Sequence, residues 1–136
     1  MKVLTFIISF LSLNVLAQTS TEDDLIIGSW YFEFDNSYFE LHITDKLIVR
    51  HDDYFGTQFI DCSEKKIVGT TFQAPSGTAI KIFKVFKNKA KMQISDQGEF
   101  DLIRIDGLII EPHKLRDHKD SYIKEFNKAF ERRKQD

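Results

Sequence analysis

The feature that most constrains this chain is a hydrophobic period close to two, kept from Gly28 to Pro112 in short runs separated by turn residues. Successive side chains of a strand point to opposite faces, so this alternation belongs to half-buried strands. In "SWYFEFD" the residues Trp30, Phe32 and Phe34 share one face, and Tyr31, Glu33 and Asp35 share the other. "NS" then reads as a turn. "YFELHIT" repeats the pattern, with Phe39, Leu41 and Ile43 opposite Tyr38, Glu40 and His42. The two runs predict a hairpin with one apolar and one wet face.

The same reading continues down the chain. "LIVRH" is a third strand and "YFGTQFIDC" a fourth, with Gly56 placed for a bulge or bend. "KIVGTTFQ" is a fifth strand with Gly69 at its centre, and "APSG" is a loop. "TAIKIFKVF" is a sixth, whose alternation slips between Ile82 and Phe83; "AKMQIS" and "EFDLIRI" follow. Asp106-Gly107 is the strongest hairpin signal, because a two-residue type I′ turn needs positive φ at both central positions. It predicts a last strand "LIIE", stopped by Pro112. Strands joined by tight turns are antiparallel neighbours, and closure removes the two exposed edges of their sheet. The expected fold is mainly β: an up-and-down meander barrel of about 8 to 9 short strands.

Both ends of the chain depart from this period. "MKVLTFIISFLSLNVLA" has the layout of a secretory signal peptide over 1–17: Lys2, the apolar run Val3 to Leu16, then small residues before a cleavage point at Ala17/Gln18. That run is short for a membrane span, which needs roughly 20 residues. No Cys follows it, so a lipoprotein is not expected. Residues 18–26 read as a flexible mature N-terminus, and 27–136 as one domain ending in a helix over 117–134. In that tail Tyr122, Phe126, Ala129 and Phe130 recur at helical spacing with charges between them. A helix docked on the barrel accounts for the stripe; a membrane-surface helix would have a more strongly basic polar face than one carrying Glu125 and Glu131.

The formal net charge is −2, without the basic excess that nucleic-acid binding requires. Of thirteen Phe, only Phe6 and Phe10 lie in the signal segment, and the rest supply a large aromatic core for a single domain. The lone Cys62 has no intramolecular partner and is expected on a buried strand, with an intermolecular bridge as the alternative. These features fit a monomer that is periplasmic or secreted, with no stable membrane anchor after cleavage.

Gly28, Ser29 and Trp30 on the first strand, the meander to Glu111 and the helix after it resemble the lipocalin-like (calycin) family, in particular compact bacterial lipocalin-like domains. The resemblance implies that Trp30 closes one end of the barrel and that a basic residue near the last strand packs across it. Arg104 is the candidate for that role and Arg116 the second. The structural closure would therefore be Gly28, Trp30 and Arg104. The family's function implies a small apolar ligand inside the barrel, lined by Phe32, Phe34, Phe39, Leu41, Ile43, Phe59, Phe72, Met92 and Phe100.

The remaining candidates for chemistry are sparse. His42, His51, His113 and His118 lack the spacing of a metal site, so no metal or cofactor is expected. "RHDDY" at 50–54 offers an acid/base pair or a cation site, but reads first as a solvated loop between strands. No nucleophile motif and no glycine-rich phosphate loop is present, so no enzyme activity is expected. Lys81, Lys84, Lys87, Lys89 and Lys91 form a basic segment that protects a strand edge or meets an acidic partner or anionic lipid headgroup. Two functions remain open. One is binding of a small hydrophobic molecule; the other is a ligand-free barrel acting through its surface on another envelope or secreted protein, as an inhibitor or immunity-type protein. The number of aromatic side chains facing inward separates them, because eight-stranded barrels have interiors just wide enough for side chains to fill or for one small ligand.

Overall fold

The computed structural model describes residues 21–136 apart from Glu64 and Ile109. The proposed signal segment 1–17 and its cleavage point lie outside the described residues. In chain order the elements are α1 (Glu22–Ile26), β1 (Gly28–Phe34), β2 (Ser37–Ile43), β3 (Leu47–Asp52), β4 (Gly56–Asp61), β5 (Thr71–Gln73), β6 (Ala79–Phe83), β7 (Lys89–Ile94), β8 (Gly98–Ile105), α2 (Pro112–Arg116) and α3 (Asp120–Gln135). The strands form one antiparallel sheet in the order β4-β3-β2-β1-β8-β7-β6-β5. This is the up-and-down meander expected from the turns. The first and last strands meet, with Ser29 opposite Ile105 and Trp30 opposite Arg104, so the barrel is nearly closed, with a seam between β4 and β5. The connection 62–70 carries the chain across that seam and buries Cys62, Ile67 and Val68 in the core.

Among the described residues the strands number eight, within the expected 8 to 9. Leu108, Ile110 and Glu111 are not in a strand, although Gly107 does turn the chain at a φ of 72°. The reason is topological: β8 is hydrogen-bonded to β7 on one side and β1 on the other, so a hairpin partner after Asp106-Gly107 has no free edge to join. In the first hairpin the turn residues are Asp35 and Asn36, one position earlier than "NS", with φ of 52° and 61°. Both being positive identifies the tight turn that matches strand twist. The expected fifth strand shrinks to Thr71–Gln73, and Val68 contributes only an isolated bridge to Ile82.

The stretch read as a flexible N-terminus holds α1. Thr21 and Asp24 form a reciprocal capping box at its start. Its acidic first turn then pins the barrel. Asp23 accepts from Ile67 N and Val68 N, each at 2.9 Å, and Glu22 accepts from Val85 N at 2.9 Å. Those backbone donors lie on segments outside the regular ladder, and α1 supplies acceptors for them.

The face of β2 expected to be wet is also buried. Glu40 and His42 are fully buried and Tyr38 partly so, because α3 packs across the outside of β2 and β3. The helix expected over 117–134 is α3, Asp120–Gln135; the short α2 ends before it at Arg116, and His118, at a φ of 56°, redirects the chain between the two.

Candidate functional site

Three places in the barrel concentrate polar or aromatic side chains: the closed end, the outer face under α3, and the open mouth beside the β1–β2 and β3–β4 turns. At the closed end Trp30 is fully buried and its indole N–H donates to Ile26 O at 2.9 Å. The Arg104 guanidinium lies 4.2 Å from the indole ring centre. Its Nε donates to Lys87 O at 2.6 Å, Nη1 to Ile27 O at 3.1 Å, and Nη2 to Leu25 O. One cation thus ties α1, β1 and the β6–β7 connection together over the tryptophan. Gly28 is required here twice over, since its φ is 140° and a Cβ would collide with Arg104 Nη1.

Under α3, Ser29 Oγ is 2.8 Å from His42 Nδ1, and His42 Nε2 is 3.0 Å from Glu40 Oε1. Hydroxyl, imidazole and carboxylate in this order resemble a nucleophile relay. Ser29 is however 1% exposed and His42 and Glu40 are fully buried, so no substrate reaches the hydroxyl in this geometry. The Glu40 carboxylate is committed to α3 instead: Arg133 donates Nε to Oε2 at 2.7 Å and Nη2 to Oε1 at 2.8 Å, and Tyr38 donates to Oε2 at 2.6 Å. Burial alone would raise the Glu40 pKa, but the hydrogen bonds from Arg133, His42 and Tyr38 outweigh it and hold the carboxyl at about 2. Burial, reinforced by Glu40, pushes the Tyr38 hydroxyl up. Burial also lowers the pKa of His51, whose ring lies edge-on to Phe130 at 4.4 Å and Phe126 at 4.9 Å. This cluster is a lock for the helix.

Inside the barrel, the residues expected to line a ligand cavity mostly fill it. Leu41, Ile43, Phe72 and Met92 are at most 5% exposed and belong to one packed core. Phe32 stacks on Phe39 at 4.8 Å, and Phe100 packs against Phe32 at 5.8 Å and against Phe34 at 5.2 Å. Phe59 faces the other way. It packs on the outer cluster of Val49, Leu115 and Phe126, because it is paired with Val49 on the outward side of β3.

Space remains at the mouth. A recess of about 270 Å³ is lined by Phe34, Phe39, Arg50, Tyr54, Phe55 and Gln97, with Asp35 and Ser37 at its rim. "RHDDY" contributes to it in a way the loop reading missed, since Arg50, His51 and Asp52 are on β3 and all are buried. The period of two from Ile48 onward sends Arg50 and Asp52 inward beside Ile48, and that signal was present in the sequence. Arg50 lies 5.5 Å from the Phe39 ring centre and 5.4 Å from that of Phe55. Asp52 Oδ1 accepts from Tyr54 N at 2.8 Å and Phe55 N at 2.7 Å, which folds the β3–β4 turn over the recess. Asp52 Oδ2 is 3.4 Å from Arg50 Nε without forming a hydrogen bond. Arg50 Nε, Arg50 Nη1 and Gln58 Oε1 are buried and have no hydrogen-bond partner.

Other expected features are placed as follows. Cys62 is buried, and burial, with Asp61 nearby, pushes its thiol pKa up. Lys89 and Lys91 pair with Asp101 across the β7–β8 ladder, at 3.5 and 2.6 Å, so part of the basic segment is neutralised. Among the described residues no group of three or more His, Cys, Asp or Glu is arranged to hold a metal ion. Arg116 lies on α2 beside the groove formed with Lys46 and Asp61, away from Trp30.

What the fold and these sites define is a nearly closed, eight-stranded antiparallel barrel with an aromatic floor, a packed interior and an open polar-aromatic mouth. No family model, curated protein or solved structure matches the chain.

Proposed function

We propose that this chain is an exported binding protein of lipocalin-like architecture that takes a small molecule at the barrel mouth. The single observation that supports this most is the mouth recess, where half-exposed rings of Phe34 and Phe55 converge while the barrel below is packed. Its volume is just under the lower end of typical ligand pockets, about 300 Å³. A ligand with one ring or a short chain suits that space, and an apolar molecule running the length of the barrel does not. Export rests on the layout of residues 1–17.

The second function, a barrel acting through its surface on another protein, draws support from the same packed interior and from Tyr54, 84% exposed, and Phe86, 67% exposed. Aromatic side chains of this kind anchor protein interfaces. Native mass spectrometry of the protein purified from its own compartment tests both. A co-purifying small molecule that is lost in Phe55→Ser supports the mouth reading. A second protein at fixed stoichiometry, lost in Tyr54→Ala or Phe86→Ser, replaces it.

A further inference from the structure

Arg50 differs from an ordinary surface arginine in three respects. It is 7% exposed, it is flanked by two aromatic rings, and two of its nitrogens have no hydrogen-bond partner. Burying a cation is costly unless charge and hydrogen bonds are returned to it. Asp52 returns the charge in part, at 3.4 Å, but its other oxygen is occupied by the backbone of the β3–β4 turn. The guanidinium therefore borders the recess, with Nε facing Asp52 and with Nε and Nη1 both buried and without a hydrogen bond. A guanidinium in that state favours an anionic acceptor such as a carboxylate brought against it from the recess.

We propose that the mouth recess recognises a small organic acid, whose carboxylate lies against Arg50 and whose apolar body packs between Phe34, Phe39 and Phe55. The inference rests on the mouth reading above and adds the chemical class of the ligand. Asp52 selects within that class. Its own negative charge beside Arg50 tolerates a monoanion and repels a dianion such as a phosphate monoester. The size of the recess limits the body to about one ring or a short alkyl chain.

The test compares phenylacetate with its neutral isostere phenylacetamide, by calorimetry or ligand-observed NMR on the chain without residues 1–17. Hydrogen bonds to a charged group contribute about 1.5 to 3 kcal/mol, so the acid is expected to bind roughly tenfold to a hundredfold more tightly than the amide. Arg50→Met/Asp52→Asn removes both charges together, and the preference for the acid disappears. Arg50→Lys keeps the charge and loses the fork. In it the acid binds several-fold more weakly but still ahead of the amide, which keeps the test informative if the double variant fails to fold. Equal binding of acid and amide to the wild-type chain overturns the assignment of Arg50 while leaving the mouth as the binding place. Binding of neither probe at millimolar concentration also overturns the acid class. Phenyl phosphate binding as tightly as phenylacetate contradicts the role of Asp52.

Discussion

Each end of the barrel holds one arginine against aromatic rings, and the two are satisfied to different degrees. Arg104 stacks on Trp30 and donates to three backbone carbonyls, from Leu25, Ile27 and Lys87. Arg50 touches two phenylalanine rings and one carboxylate, and two of its nitrogens bond to nothing. The first arrangement is complete within the chain, and it closes the barrel. The second is incomplete within the chain, and it lies beside the space a ligand would enter. A residue type and an aromatic neighbour therefore do not distinguish structure from function here; the hydrogen-bond accounting of the cation does.

If this contrast is right, damage at the closed end costs stability and damage at the mouth does not. The largest effect expected is for Trp30→Ala, since truncating a fully buried large aromatic costs about 3 to 5 kcal/mol. A melting temperature that scarcely moves would remove Trp30 from its structural role.

Acid should unlock the outer face next. The Glu40 pKa falls from 4.5 in the unfolded chain to about 2 in the folded one. Its contribution, on the order of 3 kcal/mol, is present above pH 4.5 and is lost as pH falls through the folded value. His51, whose pKa is depressed by burial, adds to the loss once pH drops below its ordinary 6.5. Urea midpoints measured across pH 7 to 2 should decline in that window, and Glu40→Gln should flatten the decline below pH 4.5. An unchanged slope in that variant would mean that Glu40 is not the group lost.

A smaller and more specific effect is expected at Gly28. Gly28→Ala should cost about 1 to 3 kcal/mol, from the positive φ and the collision with Arg104. In an Arg104→Ala background the collision is gone, so part of the cost should be recovered in a double-mutant cycle. Strict additivity would separate the glycine from the arginine. The smallest effect belongs to the mouth. Arg50→Met/Asp52→Asn should change stability by less than about 1 kcal/mol or raise it, because an imperfectly paired buried ion pair gives way to uncharged side chains.

Much of the fold was legible because period-two alternation dominates it. The hairpins from Gly28 to Ile43 and from Lys89 to Ile105 follow directly from side-chain order. Asp106-Gly107 misled because local turn chemistry carries no information on whether a strand edge is free, and β1 already occupied that edge. The polar lead-in "TEDD" looked flexible for a similar reason: its carboxylates cap backbone N–H groups 44 to 63 residues away, which no local pattern reports. The burial of Glu40 and His42 follows from where α3 docks, another long-range event. Arg50 is the exception. Its inward direction could be read from Ile48 by counting in twos, and it was obscured by the adjoining Asp52, Asp53 and Tyr54, which resemble a loop.

In the proposed function a ligand binds at the mouth alone, and Arg50 reads its charge there. The most direct measurement is a ¹⁵N-resolved NMR titration with phenylacetate that follows the Arg50 side-chain Nε signal and the Trp30 indole signal together. Arg50 Nε and the backbone of Tyr54 and Phe55 are expected to shift with ligand while the Trp30 indole stays in place. A shift of the Trp30 indole with Arg50 Nε unmoved would put the ligand in the barrel interior and contradict it.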